Sequence, residues 1–298
     1  MKLSYLAVGA ASLPPAIAWG GFGHIAVAYV ATNFVSNETT AYFQRLLRND
    51  TQDYLAGVAT WADSLRYSKY FRFTSPFHYI DAKDDPPRYC GIEYERDCKE
   101  VGCVVSALAN YTTRLLDADL HISERNIAAK FIIHFVGDIH QPLHTEDVAR
   151  GGNSIPVTFD GRNFNLHHVW DTSIVEKLVG HVSRHPYAEA ERWAGELTQE
   201  INSGKFKASS QSWLKDVDLA DPKSTALAWA VEANAYVCTT VLPEGPQAII
   251  GQELGSSYYE AAAPVVEAQV ARAGYRLAAW LDLIVSNINS RSGRDDDL

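Results

Sequence analysis

The sequence has few of the features that mark a membrane protein, a thiolate metal site or a duplex-binding surface. Beyond an apolar run near its N-terminus, no stretch reaches the 18 or more consecutive apolar residues that a transmembrane helix needs. No Cys-x-x-Cys pair is present, so the usual spacing of a thiolate zinc site is missing. Basic residues are scarce, with 26 Lys and Arg against 36 Asp and Glu and a formal net charge of −10. That balance argues against a wide surface for duplex nucleic acid, but not against an enzyme that contacts phosphate through metal ions.

What is present begins with a secretion signal. Residues 1–18 carry one charge, at Lys2, then an apolar run, then Ala16 and Ala18, the pair of small residues that signal peptidase accepts. We expect cleavage after Ala18, so that the mature protein starts at Trp19 and is secreted to the extracellular space. A buried N-terminal helix is the alternative, and the two consecutive prolines in this segment argue against it.

Sequons and cysteines agree with export. Asn-x-Thr sequons predict N-glycosylation at Asn37, Asn49 and Asn110. Four cysteines, an even number in a chain bound for an oxidising compartment, predict two disulfides. Three pairings are possible, and the spacing does not choose among them. The cysteines are Cys90, Cys98, Cys103 and Cys238.

Helical periodicity dominates the mature chain. Apolar residues three and four apart predict helices over residues 23–35, 54–67, 104–116, 126–139 and 264–288. Ser123 is the expected N-cap of the fourth helix. Alternating residues around Asp160 and Gly161 predict a β-hairpin over 155–166. We therefore expect one mostly α domain over 19–289 with a small β-hairpin, followed by a polar, disordered tail over 290–298.

Two His-x3-Asp pairs, His134 with Asp138 and His167 with Asp171, lie in apolar surroundings. A spacing of four residues puts both side chains of a pair on one face of a helix, about 6 Å apart. A single pair is typical of a core histidine satisfied by a carboxylate. Two pairs together with His144 favour a metal site, because buried charges are kept only when they are paired or bound to metal. Neutral imidazoles and carboxylates are ligands that zinc prefers.

Upstream segments can complete such a site. Asp63 ends a predicted helix and offers a carboxylate, and His78 adds an imidazole flanked by aromatic residues. At the expected mature N-terminus, the α-amine and carbonyl oxygen of Trp19 form a five-membered chelate, and His24 can supply a third donor. The glycines between them give the backbone the freedom that this approach requires.

These residues fall in motifs that resemble the fungal zinc-dependent single-strand-specific nucleases, the extracellular nuclease/3′-nucleotidase family. The resemblance runs from residue 19 to about residue 286, with its motifs in the family's order. The motifs are 19–24 (WGGFGH), 59–63 (ATWAD), 78–81 (HYID), 134–138 (HFVGD), 141–144 (QPLH), 151–153 (GGN) and 165–171 (NLHHVWD).

The resemblance implies a helical fold shared with the bacterial zinc phospholipases C, and three zinc ions. It also implies the disulfides Cys90–Cys238 and Cys98–Cys103. By motif position, the first zinc would be held by Asp63, His78, His134 and Asp138. The second would share Asp138 and add His24 and the amine and carbonyl of Trp19. The third would be held by His144, His167 and Asp171.

Catalytic and substrate-binding roles follow from the same resemblance. Asp63 would orient the attacking water, and the guanidinium of Arg66 would contact the phosphoryl oxygens, with a surface ion pair as the alternative for Arg66. Asp81 and Asn153 would bind the base, and Tyr79 would stack on it unless it is a core residue.

The other histidines are not expected to bind metal. His140 and His168 are predicted to be neighbours of the site. His121, His181 and His185 lie outside every motif and are predicted to be surface residues. Thr145 follows His144 at a position where Asp is common in the family, so the partner that orients His144 is open.

The sequence thus predicts a secreted, monomeric endonuclease with three zinc ions. It would hydrolyse single-stranded DNA and RNA to 5′-mononucleotides and also remove phosphate from 3′-mononucleotides. No membrane or stable protein partner is expected. The alternatives are a phospholipase C-like phosphodiesterase and a secreted zinc-binding protein without catalysis, which assays on single-stranded DNA and on a choline phospholipid would separate.

Overall fold

The computed structural model describes residues 19–65, 68–180 and 182–295, with side chains described as far as Arg291. The predicted signal peptide, Arg66 and His181 therefore lie outside the described residues. The predicted mostly α domain with one small hairpin is confirmed. The helices of the described residues are α1 (Gly20–Thr32), α2 (Asn37–Leu47), α3 (Trp61–Leu65), α4 (Tyr94–Asp97), α5 (Val104–Leu116), α6 (Ile122–Asp138), α7 (Leu166–His168), α8 (Ile174–Val179), α9 (Tyr187–Asn202), α10 (Lys207–Ser210), α11 (Pro222–Tyr236), α12 (Pro246–Ile249) and α13 (Ser257–Asp295).

Helix α1 is at the centre of the molecule. Nearly all of its residues are buried, and it packs on α6, α9 and α13. A helix that is apolar on every side is stable only inside a protein. Gly274 of α13 permits the close approach of the two helices, because a Cβ at that position would overlap the side chain of Val30. This packing fixes the position of His24, which α1 carries into the core.

The C-terminal half of α6 is also almost entirely buried. It packs against α5 on one side and also contacts α1, α3 and α13. His134 and Asp138, the first predicted His-x3-Asp pair, therefore lie in the interior, where neither side chain has any exposed surface.

Two helix boundaries differ from the predictions for reasons of local chemistry. The helix predicted over 54–67 is wrong: a 3₁₀ turn at Ala56–Val58 precedes the short helix α3. Gly57 and the β-branched residues that follow it have low helix propensity, which explains the break. The predicted N-cap at Ser123 is also wrong, because α6 begins at Ile122 and the His121 ring accepts a hydrogen bond from the Ser123 amide at 3.3 Å.

Helix α13 is longer than the predicted 264–288. It begins at Ser257 and contains Pro264, which sequence patterning places at the helix start. The missing amide of Pro264 costs one hydrogen bond, and the burial of Val266 and Val270 just beyond it offsets that loss. The helix ends at Asp295, beyond Ser290, where the disordered tail is predicted to begin.

The predicted hairpin is confirmed, with β1 (Pro156–Phe159) antiparallel to β2 (Arg162–Asn165). Asp160 and Gly161 have φ values of 48° and 75°, as a two-residue hairpin turn requires. The hairpin leads directly into α7, where the Asn165 side chain caps the helix by accepting from the His168 amide at 2.7 Å. It thus sets the position of His167.

Both disulfides implied by the resemblance are present, Cys90–Cys238 and Cys98–Cys103. Of the predicted glycosylation sites, Asn37 and Asn110 are exposed and Asn49 is half-buried, and their modification stays a prediction. No helix in the described ranges is long and apolar enough to cross a bilayer.

Candidate metal centre

Asp138 is the centre of the first group of predicted ligands. Its Oδ1 lies 3.3 Å from Nε2 of His24 on α1. Its Oδ2 lies 2.9 Å from Nδ1 of His78 and 3.2 Å from Nε2 of His134. The two oxygens of one carboxylate therefore face different histidines, which is the arrangement that a bridging ligand needs.

Asp63 completes this group from the end of α3. Its Oδ1 lies 3.7 Å from His134 Nε2 and 3.8 Å from His78 Nδ1. Asp63, His78 and His134 offer ligand atoms within 4.8 Å of one another, as do His24, His134 and Asp138. The structure thus brings together all the side chains predicted to hold the first two ions.

The second His-x3-Asp pair forms a neighbouring group with His144. Nε2 of His167 lies 3.2 Å from Asp171 Oδ2, and Nε2 of His144 lies 4.0 Å from Asp171 Oδ1. His144 Nδ1 is also 3.7 Å from Asp138 Oδ1, so the two groups are adjacent. Gln141 donates from Nε2 to Asp171 Oδ1 at 2.6 Å and fixes that carboxylate.

Backbone carbonyls orient three of the imidazoles. Nδ1 of His134 donates to Ala59 O at 2.7 Å, Nδ1 of His144 to His78 O at 2.7 Å, and Nδ1 of His167 to Gly151 O at 2.5 Å. With the proton on Nδ1, each ring turns an Nε2 lone pair toward its carboxylates. This is the usual outer support of metal-binding histidine. His144 is held by a backbone carbonyl, so its orientation does not depend on the Thr145 side chain.

The donor set fits metal ions because several of its buried atoms have no other use. His24 Nδ1, His78 Nε2 and His144 Nε2 have no hydrogen-bond partner among the described residues. An orphaned buried polar atom destabilises a fold by about 1–3 kcal/mol, so a cluster of them calls for a ligand. Imidazole and carboxylate donors are compatible with zinc.

The first residue of the predicted mature chain lies beside both groups. Trp19 is fully buried, and its indole donates to Gly137 O, next to Asp138, at 2.8 Å. A Cβ on Gly20 would lie 3.1 Å from Asp171 O, and one on Gly137 would lie 2.7 Å from His24 Nδ1. The Trp19 carbonyl accepts from Gly23 N at 2.9 Å, which leaves its second lone pair for another partner.

A cavity of about 680 Å³ opens beside these groups, with His78, His144 and His167 among its lining residues. Tyr79, Asp81 and Asn153, the predicted base-binding residues, line the same cavity. Tyr79 is 38% exposed, so its alternative placement in the core is wrong. Nδ2 of Asn153 donates to Arg150 O at 2.9 Å.

The chain matches the family model of the S1/P1 nucleases over residues 19–286. It belongs to the S1/P1 nuclease family. Nuclease S1 of Aspergillus oryzae is 47% identical over 268 residues, which cover 90% of this chain and 92% of that protein. Nuclease P1 of Penicillium citrinum is 44% identical over 266 residues, covering 89% and 97%. Endonuclease 4 of Arabidopsis thaliana is 34% identical over 295 residues, covering 93% of each. The family and the enzyme class predicted from the motifs are confirmed.

Sequence reasoning missed several residues of this S1/P1 nuclease's cavity. Arg72, Lys99, Arg150 and Glu146 line it and belong to none of the predicted sets. Lys99 forms an ion pair with Asp81 from the short loop that the Cys98–Cys103 disulfide closes. Burial raises the pKa of Glu146 to about 8. Lys99 follows Cys98, and Glu146 and Arg150 precede the GGN motif, but no spacing rule singles out these residues or Arg72.

The remaining described histidines lie outside the groups of possible metal ligands. His140 is buried, and its ring contacts Val136 O and the guanidinium of Arg276. His168 stacks on Phe164 with ring centroids 4.6 Å apart. His121 and His185 are exposed.

The buried charges predict how metal affinity depends on pH. Burial alone disfavours a charged His134, but Asp138 and Asp63 outweigh it and raise the pKa of His134 to about 9. Burial lowers the pKa of His144 to about 3, so this ligand is neutral in ordinary buffers. Below pH 9 an ion must displace the His134 proton, so metal affinity should fall about tenfold per pH unit on acidification.

Competition with a chelator of known affinity at pH 6, 7 and 8 would measure this dependence. Activity should be lost in strong acid together with the bound metal. An affinity that does not change over these three pH values would contradict the assignment of His134 as a ligand.

Proposed function

We propose that the chain is a secreted zinc-dependent nuclease that hydrolyses single-stranded DNA and RNA to 5′-mononucleotides and dephosphorylates 3′-mononucleotides. One observation carries the proposal: adjacent groups of buried His and Asp donors lie beside a cavity whose wall carries Tyr79, Asp81 and Asn153. Secretion is supported by two disulfides, which persist in oxidising compartments.

Three zinc ions would fit the donors as the motifs predict. Asp63, His78, His134 and Asp138 would hold one, His24, Asp138 and the Trp19 backbone a second, and His144, His167 and Asp171 a third. When bound, zinc lowers the pKa of a water ligand toward neutrality and offsets negative charge on phosphoryl and leaving oxygens.

The chain's own residues supply orientation and selectivity. Asp63 would accept a hydrogen bond from the attacking water and fix its direction. Tyr79 would stack on a base while Asp81 accepts from the base edge, and Lys99, already paired with Asp81, would donate to a base oxygen. A cavity that receives one unstacked base favours single strands, because a paired base must first be flipped out.

The test is cleavage of matched substrates by the purified protein. Denatured DNA and RNA should be cut much faster than duplex, and the products should carry 5′-phosphates. Products with 3′-phosphates would contradict the proposal that the 3′ oxygen is the leaving group. Hydrolysis of a choline phospholipid in preference to single-stranded DNA would replace the proposal with a lipid phosphodiesterase.

Arg66 provides a separate test of the chemical step. Arg66→Ala is expected to lower kcat by about 10²–10³, the usual loss when one donor to a transition-state oxyanion is removed. Zinc content should not change. Arg66→Lys should retain part of the activity, because lysine keeps the positive charge but lacks the planar guanidinium that can donate two parallel hydrogen bonds. An unchanged kcat in the alanine variant would return Arg66 to the role of a surface ion pair.

A further inference from the structure

An exposed aromatic patch lies on the chain segment that leads into the metal centre. We use the name aromatic patch for Tyr70 and Phe73, which are 83% and 61% exposed. Tyr79, nine residues after Tyr70, is a third exposed aromatic residue of the same segment. Large apolar side chains left in water within a few residues of one another mark a binding surface more often than single exposed residues do.

Within the patch, Phe73 is supported from the core by a series of aromatic contacts. Phe73 stacks on Phe71 with ring centroids 6.3 Å apart, and its edge meets Phe77 at 6.0 Å. Phe71 in turn contacts Trp61 at 6.2 Å, and Trp61 contacts the buried Phe131 at 5.3 Å. This chain of rings fixes the exposed face of Phe73, so stacking a flat ligand on it requires little further ordering.

Phe73 of the patch belongs to the same short segment as three residues of the cavity wall. The 3₁₀ segment Arg72–His78 contains Phe73, and three of its other residues, Arg72, Ser75 and His78, line the cavity wall. Arg72 forms no ion pair with any carboxylate of the described residues. A chain that leaves the cavity along this segment would therefore meet both the Arg72 cation and an exposed aromatic ring.

We propose that the aromatic patch is an extended subsite, at which bases flanking the scissile phosphodiester stack on Phe73 and Tyr70 while Arg72 contacts a phosphate between them. Alternating phosphates and π-faces are the pattern that single-stranded nucleic acid presents and that such surfaces match. The inference rests on the proposed function and adds that the enzyme binds more than one nucleotide of the substrate.

The alternative occupant, a lipid surface, fits less well. The net charge of −10 opposes binding to anionic membranes, and the patch borders a polar cavity lined by Asp81, Asn153 and Arg72. A neutral phosphatidylcholine vesicle is the form in which that alternative can be tested.

The experiment compares a long and a short substrate in the same variants. The double variant Tyr70→Ala/Phe73→Ala should lower kcat/KM for a single-stranded 12-mer about 10-fold or more relative to kcat/KM for a dinucleotide, mainly through KM. The single variant Tyr70→Ala should show a smaller change in the same direction, because Tyr70 is the more exposed residue of the two. Tyr89→Ala is the control, because Tyr89 is 53% exposed and lines no described cavity. In this variant the ratio of kcat/KM for the 12-mer to kcat/KM for the dinucleotide should match that of the wild type.

Salt dependence tests the phosphate contact. Arg72→Gln should reduce the slope of log KM against log salt for the 12-mer by about 0.7, the value for one phosphate on a single strand. A substrate ratio within twofold of the wild type in both aromatic variants would overturn the subsite. So would loss of phosphatidylcholine vesicle binding with that ratio unchanged. A wild-type protein that cuts neither substrate would instead overturn the proposed function.

Discussion

Replacing Asp138 with asparagine is expected to lower kcat/KM by about 10³-fold or more and to release more than one zinc ion. Asp138 has no exposed surface, and its oxygens face His24 on one side and His78 and His134 on the other. Asparagine keeps one oxygen but turns the other ligand atom into an NH₂ group, which cannot bind a cation. It also removes a negative charge that the surrounding imidazoles stabilise. The imidazoles of His134 and His78 hold the pKa of Asp138 well below its usual range.

Asp171→Asn is the matched comparison, because Asp171 is equally buried but belongs to one group of ligands. That variant should lose a single ion. Metal analysis of both proteins after dialysis, together with kcat/KM on single-stranded DNA, would distinguish them. Equal losses in the two variants would mean that Asp138 does not bridge two ions.

The local parts of the site were predictable from spacing alone. A helix puts residues i and i+4 on one face, so His134 and Asp138 had to be neighbours once α6 formed. Their burial followed from the apolar residues around them. The hairpin that precedes His167 was equally local, because Asp160-Gly161 is a strong turn signal.

The assembly of the site was not predictable from those patterns. His24, Asp63 and His78 come from separate segments, and only tertiary packing brings them within reach of the pair on α6, His134 and Asp138. The motifs of a known family supplied that information, as they did for the disulfide pairing. Arg72 and Lys99 were missed because a cation in a cavity wall has no sequence period. The break near Gly57 was missed because apolar spacing outweighed helix propensity in the prediction.

The mature N-terminus is predicted to be a ligand, and its surroundings show why the length of the chain there should matter. Trp19 is buried and its indole is fixed by Gly137 O. Gly20 has a φ of 49°, and a Cβ at that position would lie 2.9 Å from Thr172 Oγ1 and 3.1 Å from Asp171 O. The residue thus has one position relative to the metal groups. Any residue added before it must be accommodated in a crowded site between α6 and Asp171.

A protein made with Met before Trp19 is therefore expected to bind about two zinc ions and to lose about 10²-fold or more of kcat/KM. The added residue converts the α-amine into a peptide nitrogen, which cannot ligate while it carries its proton. His24 and Asp138 would remain, but two protein ligands make a poor zinc site compared with the usual three or four. Proteolytic trimming of the same polypeptide to Trp19 is the control, since it changes no side chain of the folded protein and should restore the third ion and the activity together. Three ions and full activity in the extended form would show that the N-terminus is not a ligand, and the second ion would then need a donor other than the Trp19 backbone.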